Sequence, residues 1–368
     1  MKTVLHVIDS LDLGGAQEVV LNLATCGSGE FHHEVAALHG RGIYRQRLRE
    51  AGVQVHSLAP HKFFPLYLAT LPALLATLRP RVVHAHLIPS NILAKPLAAT
   101  LGAPAVVSHD HTNDSRRLDS KPLLALDRWA NRFAGHFIAV SASCRDFLVR
   151  HENIDPARIS VVRNAIDLRR FDPRLIERHS AREKLGLPLK GRWVAGVGRL
   201  NPQKNFSLFL DVAARLARRF SDVQFLLAGN GPEESALKSK TRALGLEDRV
   251  VFSGYVADPR LVYCAADVLL MPSLFEGLPM TLLEAMAMDL PVVASRLDGM
   301  AEVLRNGENG LLVPSGDANG FECAVTRILE DDIFASAIKR SARSTIETGY
   351  SVEGMTRAVE TVYHRLLP

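Results

Sequence analysis

Short apolar, β-branched runs recur along the whole chain, and stretches with helical spacing of apolar residues separate them. In the first half the runs are Val4–Ile8, Glu34–Leu38, Arg81–His86, Ala105–His109, Phe137–Ser141 and Ile159–Arg163. In the second half they are Trp193–Val197, Val223–Ala228, Val250–Ser253, Val268–Pro272, Val292–Ser295 and Gly310–Val313. Alternation of this kind predicts α/β architecture, with parallel sheets covered by helices and each half forming an open, doubly wound unit. A last helix is predicted over about Val352–Leu367. Met355, Ala358, Val359, Val362, Tyr363 and Leu366 fall on one face, Ser351 stands as N-cap and Glu353 lies in the first turn.

The 368 residues favour two domains at about 100–200 residues each. The junction is expected near Arg163-Asn164-Ala165-Ile166-Asp167, followed by a polar, helix-poor stretch through Pro173 and Gly186-Leu187-Pro188. This gives domains 1–170 and 171–350, with the final helix over 351–368. Two doubly wound domains are expected to bring the C-terminal ends of two sheets across one cleft, where ligands bind.

Composition narrows the picture by exclusion. No stretch of about 18 residues is apolar and free of charges or helix breakers, so no transmembrane helix is predicted. The N-terminal apolar run is too short for a signal peptide and leads directly into acids, so it is read as the first strand. Cys26, Cys144, Cys264 and Cys323 lie far apart without a CxxC, so the cysteines suggest neither a zinc site nor a disulfide framework, and a reducing cytoplasm is expected. The net charge of +5 comes without a Lys/Arg block, so no nucleic-acid partner is expected. Twelve of the 14 histidines precede Asp155, which is either compositional drift or a sign of proton-transfer or acceptor-binding work in the first half.

The chemistry is sought in loops after strands. The first strand runs into Gly14-Gly15-Ala16-Gln17 before a helix; paired glycines there either let backbone N–H groups approach an anion or sugar, or simply make a tight turn. The strand Trp193–Val197 runs into Gly198-Arg199-Leu200-Asn201-Pro202-Gln203-Lys204, which places two cations beside a helix start near Phe206. A bidentate Arg199 and a compact Lys204 suit a diphosphate. Neither Gly196-Val197-Gly198 nor Gly229-Asn230-Gly231 has the third glycine of a dinucleotide fingerprint. After Val268–Pro272 comes Glu276-Gly277-Leu278-Pro279-Met280-Thr281, then Glu284 on a helix beginning near Pro279. Free N–H groups at Leu278, Met280 and Thr281 would meet phosphate, and the two carboxylates would accept from sugar and ribose hydroxyls.

Together, Gly14-Gly15-Ala16-Gln17, Gly198-Arg199-Leu200 with Lys204, Gly229-Asn230-Gly231-Pro232 and Glu276-x7-Glu284 resemble family 4 of the glycosyltransferases. That family consists of retaining enzymes with the two-Rossmann GT-B architecture. The likeness runs over almost the whole chain and is strongest from Trp193 to Pro314. Asn164-Ala165-Ile166-Asp167 is similar to the family's Asn-Gly-Val-Asp junction, with Ala165 in place of glycine. The resemblance implies that Arg199 and Lys204 hold the donor diphosphate, Glu276 faces the donor sugar and Glu284 holds the ribose. It implies that Gly277, Leu278, Pro279, Met280 and Thr281 form the phosphate and sugar loop, and that Gly15 closes over the donor. Tyr255-Val256 would line the base, and the final helix would cross back onto the first domain. It implies no cofactor and no metal, because cations and a helix N-terminus neutralise the diphosphate; the nucleotide-sugar, expected to be UDP-linked, is a substrate.

The family also places a histidine near the reacting sugar. In Ser108-His109-Asp110-His111 the best match is His109, with His111 a competitor. His84 and His86 alternate, as do His109 and His111, so four imidazoles near a cleft could instead bind zinc. The segment 61–75 is apolar with basic flanks, and reads either as a core helix or as an interfacial helix for a lipid-linked acceptor at the inner membrane face. The expected partners are therefore a nucleotide-sugar donor and a glycan or lipid-linked acceptor in bacterial surface polysaccharide or glycolipid synthesis. Alternatives are a non-hydrolysing sugar-nucleotide epimerase, a nicotinamide oxidoreductase, disfavoured by the missing fingerprint, and a catalytically silent sugar-binding relative.

Overall fold

A computed structural model describes residues 1–12, 14–39, 42–59, 66–111 and 120–368. The chain divides into two units, Met1–Ala165 together with Val352–Pro368, and Ile166–Ser351. The first unit carries strands β1 (Lys2–Ser10), β2 (Phe31–His39), β3 (Gln54–Ser57), β4 (Val82–His86), β5 (Ala105–Asp110), β6 (His136–Ala139) and β7 (Ile159–Val161). They form one parallel sheet in the order β3-β2-β1-β4-β5-β6-β7. The second unit carries β8 (Arg192–Val197), β9 (Val223–Ala228), β10 (Val250–Gly254), β11 (Val268–Met271), β12 (Val292–Ser295) and β13 (Leu311–Val313). Their order is β10-β9-β8-β11-β12-β13, again parallel.

Each strand read from the apolar pattern is present, with its ends displaced by at most a few residues. The additional strand is β3. Only Val55 of Gln54–Ser57 is buried, and the strand lies at the sheet edge, so its sequence carries almost no apolar signal.

Strand order reverses between β1 and β4 in the first unit, and between β8 and β11 in the second. Loops leaving the two strands at such a point go to opposite faces of the sheet, which opens a crevice at their C-terminal ends. In the second unit the sheet is held by the helix Phe206–Arg219, whose Phe206, Phe209, Val212 and Leu216 meet Phe225 and Leu227 of β9. Each such side chain contributes about 1.5–3 kcal/mol on burial, so the loops at the reversal stand on a stiff base.

In the first unit one sheet face is aliphatic: Leu5, Val7, Ala36, Leu38, Val83 and Ala85 pack with Leu71 and Leu75 of the helix Tyr67–Leu78 and with Ala94 and Ala98 of the helix Ile88–Thr100. The helix Tyr67–Leu78 therefore covers the sheet through Leu71 and Leu75, while Leu68 faces out. Residues 61–65 of the segment weighed as an interfacial anchor lie outside the described residues. Among the described residues no helix is long and apolar enough to cross a membrane. On the opposite face β1, β2, β4 and β5 present His6, His33, His84, His86 and His109, all buried. The last helix, Val352–Leu366, belongs to this unit. It buries Val359, Val362 and Tyr363, and Tyr363 lies edge-on to Phe31 and pairs with His84.

Candidate active site

The first loop of the second unit's reversal point leaves β8 at Gly198, whose φ of 147° is a region that L side chains rarely adopt. Two glycines of the neighbouring loop allow it to be approached at backbone distance. A Cβ on Gly229 would stand 1.9 Å from the Gly198 carbonyl oxygen, and one on Gly231 2.3 Å from that of Leu200. The contact is closed by hydrogen bonds from Leu200 N–H to Asn230 O (3.0 Å) and from Glu233 N–H to Leu200 O (3.0 Å). The Asn201 side chain then caps a single 3-10 turn, Pro202–Lys204, and Asn205 in the left-handed region starts the helix Phe206–Arg219.

The second loop leaves β11 and docks on the first. Leu274 N–H donates to Gln203 O at 2.8 Å, and the Gln203 amide donates to Phe275 O (3.1 Å) and Glu276 Oε2 (3.4 Å). Lys204 Nζ donates to Glu276 Oε1 at 2.6 Å, with both side chains largely buried. The two residues read separately from the sequence, one for phosphate and one for sugar, are thus a direct ion pair in this state. Arg199 is exposed, and among the described residues it has no ion-pair partner. Gly299, just after β12, supports the turn from below: a Cβ there would lie 1.6 Å from Gly277 O and 2.8 Å from Glu276 O. Pro279 then caps the helix Met280–Ala287. Gly277, Leu278, Pro279 and Met280 are buried and Thr281 half-buried at its N-terminus, where the helix dipole favours an anion. One turn on, buried Glu284 accepts from Tyr263 O–H at 2.6 Å.

The reversal point therefore gathers Arg199, Lys204, Glu276, Gly277–Thr281 and Glu284 from two loops and the helix after the second, up to 85 positions apart. Val256 stands further off. It follows β10, the edge strand, and is half-buried beside the more exposed Tyr255; the link to the site is Gly229 N–H donating to Gly254 O at 2.8 Å. Gln203, Tyr263 and Gly299 join the site without having been read from the sequence, since their roles depend on which loops touch.

In the first unit Gly14 caps and Gly15 opens the helix Gly15–Thr25, both exposed. The Gln17 amide reaches back to Ser10 O at 3.0 Å and closes the turn. His109 is the penultimate residue of β5 and is stacked between His84 (centroids 5.1 Å, 4° between planes) and His111 (4.3 Å, 20°). Burial first, and the neighbouring His111 and His6 next, drive its pKa well below the ordinary histidine range, so its imidazole is neutral. Neither ring nitrogen of His109 has a hydrogen-bond partner among the described residues. His111 is half-buried and shares a 3.0 Å bond with His86. The pairs His84/His86 and His109/His111 do share one sheet face, and strand order inserts His6 beside them and His33 beyond it. Among the described residues two groups bring ligand nitrogens within 4.8 Å of one another: His6, His84 and His86, and His86, His109 and His111.

Residues 191–331 match the family described as glycosyl transferases group 1, and residues 13–170 match glycosyltransferase family 4. The chain is 28% identical to the UDP-Gal:alpha-D-GlcNAc-diphosphoundecaprenol alpha-1,3-galactosyltransferase of Escherichia coli, over 77% of this chain and 74% of that one. It is 28% identical to a 2-deoxystreptamine glucosyltransferase of Streptomyces kanamyceticus, over 75% of this chain and 74% of that one. Among solved structures, Anabaena HepE in complex with UDP-glucose shares the fold with a TM-score of 0.88 at 21% identity, covering 99% of this chain and 100% of that one. Sucrose-phosphate synthase of Thermosynechococcus elongatus does so at 0.84 and 19%, covering 100% and 99%. The two doubly wound units are those of the GT-B architecture, and the chain belongs to glycosyltransferase family 4.

Proposed function

We propose that the chain is a retaining, metal-independent glycosyltransferase that moves a hexose-type sugar from a UDP-linked donor to a glycan or lipid-linked acceptor. The observation that carries this reading is the convergence of Arg199, the Lys204–Glu276 pair, Glu284 and a helix N-terminus at one strand-order reversal. As the bond from sugar to diphosphate breaks, negative charge grows on the leaving phosphate. Lys204, held by Glu276, and the N–H groups at the start of the helix Met280–Ala287 are in place for that charge before the reaction begins, and Arg199 adds a second cation from the same loop as Lys204. Glu276 accepts from a sugar hydroxyl, and its partner Lys204 can serve carboxylate and phosphate together because an ammonium has three donors. Glu284, oriented by Tyr263, takes the ribose hydroxyls. The resemblance assigns Gly15 and His109 to the donor sugar, and a neutral imidazole suits a hydrogen bond to a hydroxyl. Val256 lines the base in the same reading. The acceptor attacks from the leaving-group side and a donor phosphate oxygen receives its proton, which preserves the anomeric configuration.

The named activity of the E. coli relative supports a lipid-diphosphate acceptor. With it goes a place in bacterial surface polysaccharide or glycolipid synthesis, on a cytoplasmic protein that meets the inner face of the membrane peripherally. Incubation of the chain with UDP-galactose, UDP-glucose or UDP-N-acetylglucosamine, a GlcNAc-diphospho-lipid acceptor and excess chelator tests this. UDP release with an α-linked product by NMR is expected. A β-linked product would overturn retention, a requirement for magnesium would overturn metal independence, and conversion of donor sugar without acceptor would favour an epimerase.

A further inference from the structure

The helix Lys121–Ala130 of the first unit presents to solvent a face that its packing does not use. Its inner side carries Leu123, Asp127 and Ala130, and Asp127, the only acid of the helix, is buried against Lys95 Nζ at 3.2 Å. On the outer side Pro122, Leu126 and Trp129 recur at i, i+4 and i+7, one stripe of a helix. All three are exposed, Leu126 by 46% and Trp129 by 44%, and the Trp129 ring meets Phe133 edge-on at 5.2 Å. Apolar side chains exposed singly need no partner, whereas a contiguous stripe with polar groups at its rim marks an interaction surface.

That rim is basic. About a quarter turn round the helix from the stripe stand Lys121 and Arg128, with Arg132 just beyond the helix end. Arg128, Arg132 and Arg158 line a cavity of about 260 Å³ together with Glu152. Arg128 is pinned there by Nε donating to His151 O at 3.0 Å, and Arg158 by a bond to Ala134 O. Glu152 is buried, and one of its oxygens already accepts from the Asn131 amide at 2.8 Å.

We propose that this face is where the protein meets an anionic bilayer, with Leu126 and Trp129 entering the boundary between headgroups and acyl chains and the surrounding cations taking lipid phosphates. Apolar side chains on one stripe with cations beside it let a helix lie in the plane of such a boundary. Tryptophan suits that depth because its ring is apolar and its N–H polar, and a guanidinium meets phosphate bidentately. Cations around the stripe, with the helix's own acid buried, select anionic over neutral lipid. The proposal rests on the peripheral-membrane part of the reading above and not on its transfer chemistry. It places the contact on Lys121–Ala130 rather than on the helix Tyr67–Leu78, whose Leu71 and Leu75 cover the sheet.

The two tryptophans make a local test. Trp193 is fully buried in β8, so a change in emission on adding vesicles reports Trp129. The full chain is titrated with vesicles of phosphatidylglycerol mixed with phosphatidylcholine, and of phosphatidylcholine alone, followed by emission and co-sedimentation. A blue shift and sedimentation with the anionic vesicles are expected. Leu126→Ser should weaken partitioning about tenfold or more, the scale for one buried leucine. Lys121→Gln with Arg132→Gln should weaken it about 25-fold, from about fivefold for each cation near an anionic surface. Leu68→Ser, on the exposed side of Tyr67–Leu78, should leave it unchanged. Undiminished binding in Leu126→Ser or in the charge variant, or equal binding to neutral vesicles, would overturn the proposal while leaving a membrane contact elsewhere on the chain. No binding of the wild type to either vesicle would overturn the peripheral-membrane reading with it.

Discussion

Glu276→Gln separates the two tasks assigned to the reversal point of the second unit. Lys204 Nζ sits 2.6 Å from Glu276 Oε1, with side chains 15% and 7% exposed, so the bond is charge-assisted and only partly screened. Hydrogen bonds to charged groups are worth about 1.5–3 kcal/mol net, against about 0.5–1.5 kcal/mol for neutral ones. A bound diphosphate shares this ammonium with the carboxylate, so part of the charge-assisted bond to Glu276 is given up when it binds. Glutamine keeps the shape and the neutral part of the bond, so Lys204 becomes more available by about 1–1.5 kcal/mol, or up to about tenfold in UDP affinity. Turnover depends on the carboxylate facing the sugar and should fall about 10²–10³-fold, the scale for losing one preorganised polar contact at a reacting centre. Calorimetric titration with UDP and a coupled assay of UDP release measure the two effects. Turnover near the wild-type rate, or UDP affinity weakened tenfold, would refute the reasoning.

Gly299→Ala tests whether the Glu276–Gly277 turn is held from below. The added Cβ meets backbone at 1.6 Å, so the turn must move. A misplacement of about 1 Å can cost about 10²-fold in rate, and turnover should fall on that scale with the far-UV circular dichroism unchanged; undiminished turnover would refute the contact. Tyr263→Phe removes a 2.6 Å hydrogen bond to buried Glu284. It should lower stability in urea titration by about 1.5–3 kcal/mol and weaken UDP several-fold while leaving inorganic diphosphate binding intact.

The sheets were legible because the twelve runs are short and mostly apolar, as in Val223–Ala228 or Val292–Ser295, and parallel strands covered on both faces must be. The strand Gln54–Ser57 was not, because an edge strand with one buried side chain has no such pattern. Arg199, Lys204 and Glu276 stood out as charged residues at strand-to-helix loops, and Glu284 as a carboxylate on the helix that follows. Their pairing did not, since Lys204 and Glu276 are 72 positions apart and meet only because β8 and β11 are neighbours. The supporting role of Gly299 depends on a loop-to-loop contact and leaves no trace in spacing. The alternation of His84 with His86 and of His109 with His111 predicted shared faces correctly. Adding His6 and His33 to the layer required the order β2-β1-β4-β5, which local pattern does not encode.

The central claim is that a nucleoside diphosphate binds this chain through protein cations and a helix N-terminus, without a divalent ion. Differential scanning calorimetry with UDP, in chelator, tests it most directly. A ligand at about 100 times its dissociation constant stabilises the state that binds it by about 2.7 kcal/mol. For a unit the size of Ile166–Ser351 that is a rise of about 5–11 °C in its transition. The account predicts this rise with UDP in chelator, and its loss in an Arg199→Ala, Lys204→Ala double variant. A rise that appears only with magnesium, or that persists undiminished in the double variant, would contradict it.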